Sequence, residues 1–413
     1  MMIDKYQKTH SYVKTSWQKA RVTPQESADA SFYVAPFVPP CVTGLFRSLY
    51  YWDTFYTNRG LLADGFLGYA KDNVDNLLAA VDRFGFVPNV LSKGGLKWCS
   101  QPPYLHFMVG DIYAATGDDE WLKRAYFILK KEYAFWMNER ITELGLNRHY
   151  HFPLAQKDLI FYYDYIAENR IRIPQNVSEE EKALRAHSYL AAAEAGLDWT
   201  PRFRAFGQDV IPVDLNANLY GLEKDLCAWS KKFEPQTTQN YVAAMEKRKR
   251  LMDAYCLGED GLYHDYDYVA KTRRTFYSSG QFMPFVTGMS ADNKALATLL
   301  KKLEQAHGIT STQEDTLESL SYQWSYPNTW APDNYLCVWA LENCGMTNEA
   351  ERVARKYLEN IAAAYEKTGL LWEKYDGVNG GIATRTEHAM TEMLGWSGGA
   401  YSCFYKRYYQ REK

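Results

Sequence analysis

Asp118 to Trp136 reads DDEWLKRAYFILKKEYAFW, with apolar residues at Trp121, Leu122, Ala125, Ile128, Leu129, Tyr133 and Trp136. That is a single stripe at the helical period of about 3.6 residues, the pattern of a helix that buries one face. Asp118 and Asp119 stand where a helix start wants side chains that accept from free backbone N–H groups. Outward from this stretch the pattern returns in Thr347 to Tyr365. There Ala350, Val353, Ala354, Tyr357, Leu358 and Ile361 share a face, and Gly345 and Gly369 punctuate the ends. Noisier stripes cover residues 68–84, 101–116, 179–195, 212–232, 237–256, 292–306, 330–343 and 390–409. Strand-like alternation is sparse, and Gly261 to Val269 is its best case. The chain is therefore expected to be all-α, with roughly ten to thirteen helices. Such helices pack as a bundle, a solenoid or a closed ring of helical hairpins. No repeat of about 33–45 residues speaks for a solenoid.

At 413 residues the chain exceeds the usual domain of about 150 residues. No Ser/Gly-rich or charge-rich run marks a linker, so one architecture over residues 1–413 is expected. Lys and Arg number 47 against 50 Asp and Glu, a net charge of −3, which argues against a nucleic-acid binder. No apolar run approaches the roughly 18 residues of a membrane span. Met1 to Trp17 carries no apolar core of a signal peptide. The seven cysteines form no C-x-x-C pair, so neither a zinc site nor a disulfide framework is indicated. A cytoplasmic protein with reduced thiols is the expectation. Aromatic residues are abundant, with 12 Trp, 33 Tyr and 19 Phe.

Chemistry-bearing residues gather in five segments read as lying between helices: Phe46–Tyr56, Phe86–Pro103, Gly196–Asn216, Tyr322–Asp333 and Trp372–Trp396. Asp198 follows the helix end at Gly196 and precedes Trp199. Against an apolar ring its charged form is disfavoured, as a general acid requires; the other reading is a cap on a short turn. Glu373 lies between Trp372 and Lys374-Tyr375. It is either a carboxylate in a stacking cleft, or the partner of Lys374 at the surface or on a strand edge. His388 has no His partner at i+4, and His149 and His151 have the wrong spacing for one helix face. No metal or cofactor is expected, since phosphate-cradling and serine-nucleophile motifs are also missing. What remains is paired acids, tryptophans and polar loop side chains. Aromatic rings pack on the apolar face of a pyranose, while Arg, Asn, Gln and Asp bind its hydroxyls. Two carboxylates suffice to cleave a glycosidic bond. Trp52, Trp199, Trp324, Trp330, Trp372 and Trp396 lie beside the acids and are expected to wall such a pocket.

The motifs, taken in order, resemble those of the trehalase family, glycoside hydrolase family 37. Phe46-Arg47-Ser48-Leu49-Tyr50-Tyr51-Trp52-Asp53 resembles P-G-G-R-F-x-E-x-Y-x-W-D, and Gln323 to Pro332 resembles Q-W-D-x-P-x-x-W-x-P. Pro88-Asn89 and Ser100-Gln101-Pro102-Pro103 are similar to P-N-G and R-S-Q-P-P. Ala193 to Asp198 resembles A-x-S-G-W-D, and Ile211 to Asn216 resembles V-P-V-D-L-N. Glu373-Lys374-Tyr375-Asp376 matches E-K-Y-D, and Glu387 with Gly395-Trp396 fits G-E-Y-P-L-Q-x-G-F-G-W. The resemblance spans about residues 46 to 400 and implies an (α/α)6 barrel and an inverting α-glycosidase. It implies Asp198 as general acid and Glu373 as general base, with carboxyls about 6.5–9.5 Å apart to admit a water. Arg47, Trp52, Asp53, Asn89, Gln101, Asp214, Asn216, Trp324, Trp330, Glu387 and Trp396 would line the subsites for a small carbohydrate.

The departures concern charged positions. Ser48 replaces a Glu, Cys99 the arginine of R-S-Q-P-P, and Ser325 the Asp of Q-W-D. Val90 to Gly95 offers no counterpart to the arginine after P-N-G. The P-R-P-E segment is absent, and Arg170, Arg172 and Pro174 occupy its region. An unpaired sugar hydroxyl costs about 1–3 kcal/mol. The resemblance makes trehalose the leading substrate, and these departures bear on the substrate rather than on the reaction type. A different α-linked disaccharide or a glucosyl- or mannosyl-glycerate is the alternative, and a non-catalytic sugar-binding protein is the second.

Overall fold

Asp118 accepts from the backbone N–H of Trp121 and starts a helix over Asp119–Glu139, as the stripe predicts. The computed structural model describes residues 4–44, 46–203, 206–315, 322–383, 391–392 and 394–410. Among these the helices are α1 (Lys5–Ala20), α2 (Tyr51–Ala63), α3 (Leu67–Phe84), α4 (Leu105–Thr116), α5 (Asp119–Glu139), α6 (Gln156–Asn169), α7 (Glu179–Glu194), α8 (Val213–Phe233), α9 (Thr238–Tyr255), α10 (Met283–Thr287), α11 (Asn293–Leu303), α12 (Ala331–Asn343), α13 (Thr347–Thr368) and α14 (Gly395–Phe404).

They sort into two layers. Helices α2, α4, α8, α10, α12 and α14 touch in that order, and α14 returns to α2, so they close a ring. Outside it α3 packs on α2 and α4, α5 on α4 and α8, and α9 on α8. Helix α13 packs on α12 and α14, and α1 on α13 and α14. Helix α11 lies against the turn Ser279–Phe282 that leads into α10. Six inner and six outer helices make the expected (α/α)6 barrel, and α6 and α7 add a hairpin packed on itself.

The layering follows from composition. Outer helices bury one stripe: in α5 this is Trp121, Leu122, Ala125, Tyr126, Leu129 and Trp136. Each large apolar side chain so buried contributes about 1.5–3 kcal/mol. The inner helix α2 is buried around its circumference, every residue from Tyr51 to Asn58 being buried. Helices α1, α2, α6 and α10 were not expected from the sequence. Helix α2 has no polar face and hence no stripe, so Phe46–Tyr56 reads as a loop although the helix begins at Tyr51. Helix α1 buries Thr9, His10 and Ser16 beside Val13 and Trp17, which blurs its period. Of Gly261 to Val269 only Tyr266–Asp267 is strand, the middle of a three-stranded antiparallel ribbon with Val210–Ile211 and Thr272–Arg273. No helix among the described residues is long and apolar enough to cross a membrane.

Two features of this fold position the site. Helices α2, α12 and α14 carry Trp52, Trp330 and Trp396 at or next to their N-terminal ends, so these ends share one mouth of the barrel. The positive ends of helix dipoles favour carboxylates there. In addition, Asn328–Thr329 pairs antiparallel with Tyr375–Asp376, which fastens the Glu373 segment beside Trp330.

Candidate active site

A cavity of about 500 Å³ opens at that mouth, within the range of about 300–1,000 Å³ usual for small-molecule sites. Trp52, Trp324, Trp330 and Trp396 form its walls. Trp324 and Trp330 stack with centroids 3.8 Å apart and planes 5° from parallel. Trp396 meets both edge-on at 5.9 and 5.5 Å, and Trp52 lies 5.5 Å from Trp324. The indole N–H of Trp330 donates to the Gln323 carbonyl (3.2 Å) and that of Trp396 to the Glu373 carbonyl (3.0 Å), which fixes the ring planes.

The structure brings Asp198 and Glu373 to this one cavity, with Asp53, Asn89 and Gln101. Their surroundings differ. The Asp198 side chain is 32% exposed, and Arg170 Nη2 stands 3.5 Å from its Oδ2. No described helix starts at Asp198. Trp199 is turned into the core, where its N–H donates to the Tyr189 carbonyl. Glu373 is buried and takes a hydrogen bond on Oε2 from Lys374 Nζ at 2.7 Å. The pairing with Lys374 anticipated from sequence therefore exists, but inside the protein rather than at the surface. Burial drives the Asp53 carboxyl well above the usual range, and the like charges of Glu373 and Asp198 add to that. Gln101 Oε1 accepts from the Trp52 backbone N–H at 3.1 Å.

Other expected residues lie elsewhere. Arg47 is captured by the backbone carbonyls of Cys41, Val42 and Ala20 and pins the loop before α2. Asp214 sits deeper on the barrel axis, on a void of about 20 Å³ beneath Trp52. Burial would raise its carboxyl, but the Arg202 guanidinium at 2.7 and 2.8 Å outweighs that and holds it below the usual range. Asn216 is wholly buried, donating to the carbonyls of Asn147 and Pro212 and accepting from Asn147 N–H and Arg248. Both amide atoms are thus committed to holding the loop at Asn147 and Arg248 of α9 against the start of α8. Trp372 donates to Thr368 Oγ1 and, like Trp199, is not a wall. Glu387 lies outside the described residues.

The cavity also takes in Phe46, Tyr50, Tyr165, Asn169, Arg170 and Gln323, none of which the sequence reading assigned to a subsite. Phe46, Tyr50 and Gln323 belong to the motif stretches themselves. Tyr165 and Asn169 are four apart on α6, a spacing that puts them on one face.

A family model described as Trehalase matches residues 2–409. The periplasmic trehalase of Pseudomonas aeruginosa is 30% identical over 417 residues, 94% of this chain and 74% of that protein. The periplasmic trehalase of Xanthomonas axonopodis pv. citri is 28% identical over 394 residues, 88% of this chain, and the chain spans only 66% of its length. The structure of the neutral trehalase from Saccharomyces cerevisiae superposes with a TM-score of 0.74 at 23% identity, covering 91% of this chain and 74% of that one. The bacterial relatives' names point away from the cytoplasm and overturn that expectation. It rested on thiol usage, and all seven cysteines prove to be unpaired, five of them buried as small packing residues. In that role they carry no information about compartment. With matched motifs, a closed double ring of helices and a family model spanning nearly every residue, the chain belongs to the trehalase family.

Proposed function

We propose that the cavity hydrolyses a small α-glucoside, trehalose foremost, with inversion at the anomeric carbon. Asp198, the more open acid, protonates the glycosidic oxygen as the bond to the anomeric carbon breaks. Glu373 takes a proton from a water that attacks the same carbon from the opposite face. The aglycone leaves as an alcohol bearing the proton from Asp198, and one water is consumed. Asp53 holds its own proton and donates to a sugar hydroxyl, in keeping with its raised carboxyl. The tryptophan walls carry the apolar faces of the ring. One observation carries the reading: two acids in contrasting environments line a single cavity walled by four tryptophans. The names of the relatives support trehalose as substrate.

The test follows the first turnover of trehalose by NMR, where inversion releases β-glucose. Asp198→Asn and Glu373→Gln are each expected to lower kcat by about 10²–10⁴-fold. Release of only the α-anomer would sink the inverting scheme, and undiminished turnover by Asp198→Asn would sink the assignment of the acid.

A different aglycone is favoured by one observation. Arg47 serves backbone carbonyls and Cys99 stands where the motif has arginine, so among the described residues Arg170 is the guanidinium of the lining. A panel of trehalose, kojibiose, nigerose and glucosylglycerate distinguishes the two: inactivity on trehalose with turnover of another member favours this second reading. Binding without turnover of any member favours a sugar-binding protein.

A further inference from the structure

Lys374 is fully buried, and its ammonium sits between three groups of the cavity wall. Nζ donates to Glu373 Oε2 at 2.7 Å and to Gln323 Oε1 at 3.0 Å, and it stands 4.7 Å from the centre of the Trp330 ring. Gln323 in turn donates from Nε2 to the Asp198 carbonyl at 2.5 Å. A continuous strap therefore runs from the backbone of one acid to the carboxylate of the other: Asp198 carbonyl, Gln323 amide, Lys374 ammonium, Glu373 carboxylate.

A buried lysine is costly unless it is paired and hydrogen-bonded. The same cation here serves the carboxylate, the amide and the ring. Among the described residues, Arg170 at the end of α6 is a second cation of the cavity, standing 3.5 Å from Asp198; the other titratable groups there are acids. Asp53 on α2, Asp198 after α7 and Cys41 in the loop before α2 are all acids coupled to it or to its neighbours. Of these, Asp198 is the like charge that, together with burial, disfavours a carboxylate at Glu373, whereas Asp53 and Cys41 hold their protons.

We propose that Lys374 is a positioning residue that keeps Glu373 ionised for its task as base and, through Gln323, fixes the base relative to the acid. This rests on the reading of Glu373 as general base. It acts through Glu373 and Gln323. An ammonium within about 4–6 Å favours a carboxylate by about 1–3 pH units. Taking it away removes that ammonium from the buried Glu373, and burial then favours its protonated form to higher pH.

The experiment is the pH profile of kcat/KM on whichever α-glucoside the wild-type protein turns over. In Lys374→Met the acidic limb is expected to move up by about 1–2 pH units, with KM changed less than kcat. Lys374→Arg, which keeps the charge, is expected to return the limb to within about half a pH unit of wild type, even at lower kcat. Should Lys374→Met fail to fold, Lys374→Gln retains a donor for both partners without the charge and reads the same limb. An acidic limb that stays in place in the neutral variants, in a protein whose wild type is active, overturns the proposal. Wild-type inactivity on every α-glucoside, by contrast, is a failure of the underlying assignment and is scored on wild type alone.

Discussion

Gly196 sits at φ +71°, and a Cβ built on it would lie 2.6 Å from Cε2 and 2.8 Å from Cζ2 of Trp52. The left-handed backbone and the close approach of an indole both require glycine at the end of α7. In sequence the residue reads only as a helix stop. The structure adds that its missing side chain lets Trp52 lie flat at the cavity wall, one position before the turn to Asp198. Gly196→Ala is therefore expected to cost about 1–3 kcal/mol of stability through strain and overpacking, and to lower kcat/KM as Trp52 is displaced. Urea unfolding and steady-state kinetics check this together, and an alanine variant equal to wild type in both would refute the steric account.

Between elements the tightest approach is that of α2 and α14. A Cβ on Gly60 would lie 2.5 Å from the Gly399 Cα, and one on Gly399 would lie 2.1 Å from the Tyr56 carbonyl oxygen. The two backbones thus touch, and the helices bring Trp52 and Asp53 from one and Trp396 from the other to the same cavity. Gly399→Ala must force them apart. It is expected to lose more stability than Gly398→Ala, whose new methyl would meet side chains rather than backbone, Leu394 and Val13 at 3.1 Å and Trp17 at 3.3 Å. Thermal unfolding of the two variants side by side decides it, and equal melting points would contradict the close crossing. The same contrast explains which helices were legible in the sequence. Helices α5 and α13 face solvent on one side, so burial writes a period into them. Helix α2 is buried all round and writes none. The outer helices α5 and α13 are thus clearest in the periodicity and the inner α4, α8, α12 and α14 noisier, while the inner α2 and α10 and the outer α1 leave no stripe. Trp52, Asp53, Trp324, Trp330, Glu373 and Trp396, which line the cavity, were named from the motifs. Tyr165 and Asn169 were not, because which face of α6 meets the cavity is decided by tertiary packing. Arg47, Asp214 and Asn216 were misplaced for a third reason: the groups that bind sugar hydroxyls bind backbone carbonyls and buried ions equally well.

At the scale of the whole molecule, two buried carboxyls behave in opposite ways. Glu194 is paired with Arg140 at 2.8 Å; burial would raise it, yet that guanidinium outweighs burial and holds it at about 2. Its contribution to stability is present above the unfolded value of about 4.3 and is lost as pH falls towards 2. Asp333, in the first turn of α12, has no cationic partner among the described residues. Ser279 and Ser311 hydroxyls lie 2.6 Å from its two oxygens and the Trp330 N–H 3.2 Å from one of them, and burial pushes it up to about 7. Here the sign reverses. The folded protein keeps the Asp333 proton up to about pH 7, whereas the unfolded chain releases it near pH 3.9, as about expected for a free aspartate. The stabilisation is complete below about pH 4 and is lost as pH rises through 7, at up to about 1.4 kcal/mol per pH unit. Asp333→Asn is neutral at every pH and removes this slope, while Glu194 and all other groups cancel in the comparison. The free energy of unfolding of wild type minus that of Asp333→Asn should therefore fall steadily between about pH 4 and 7 and level off above it. Urea titrations of both proteins at intervals from pH 4.5 to 8 measure that difference, to about the precision of the extrapolation. A difference independent of pH would mean that Asp333 is ionised within the folded barrel and that its two serines and one N–H, rather than a retained proton, satisfy the buried carboxylate.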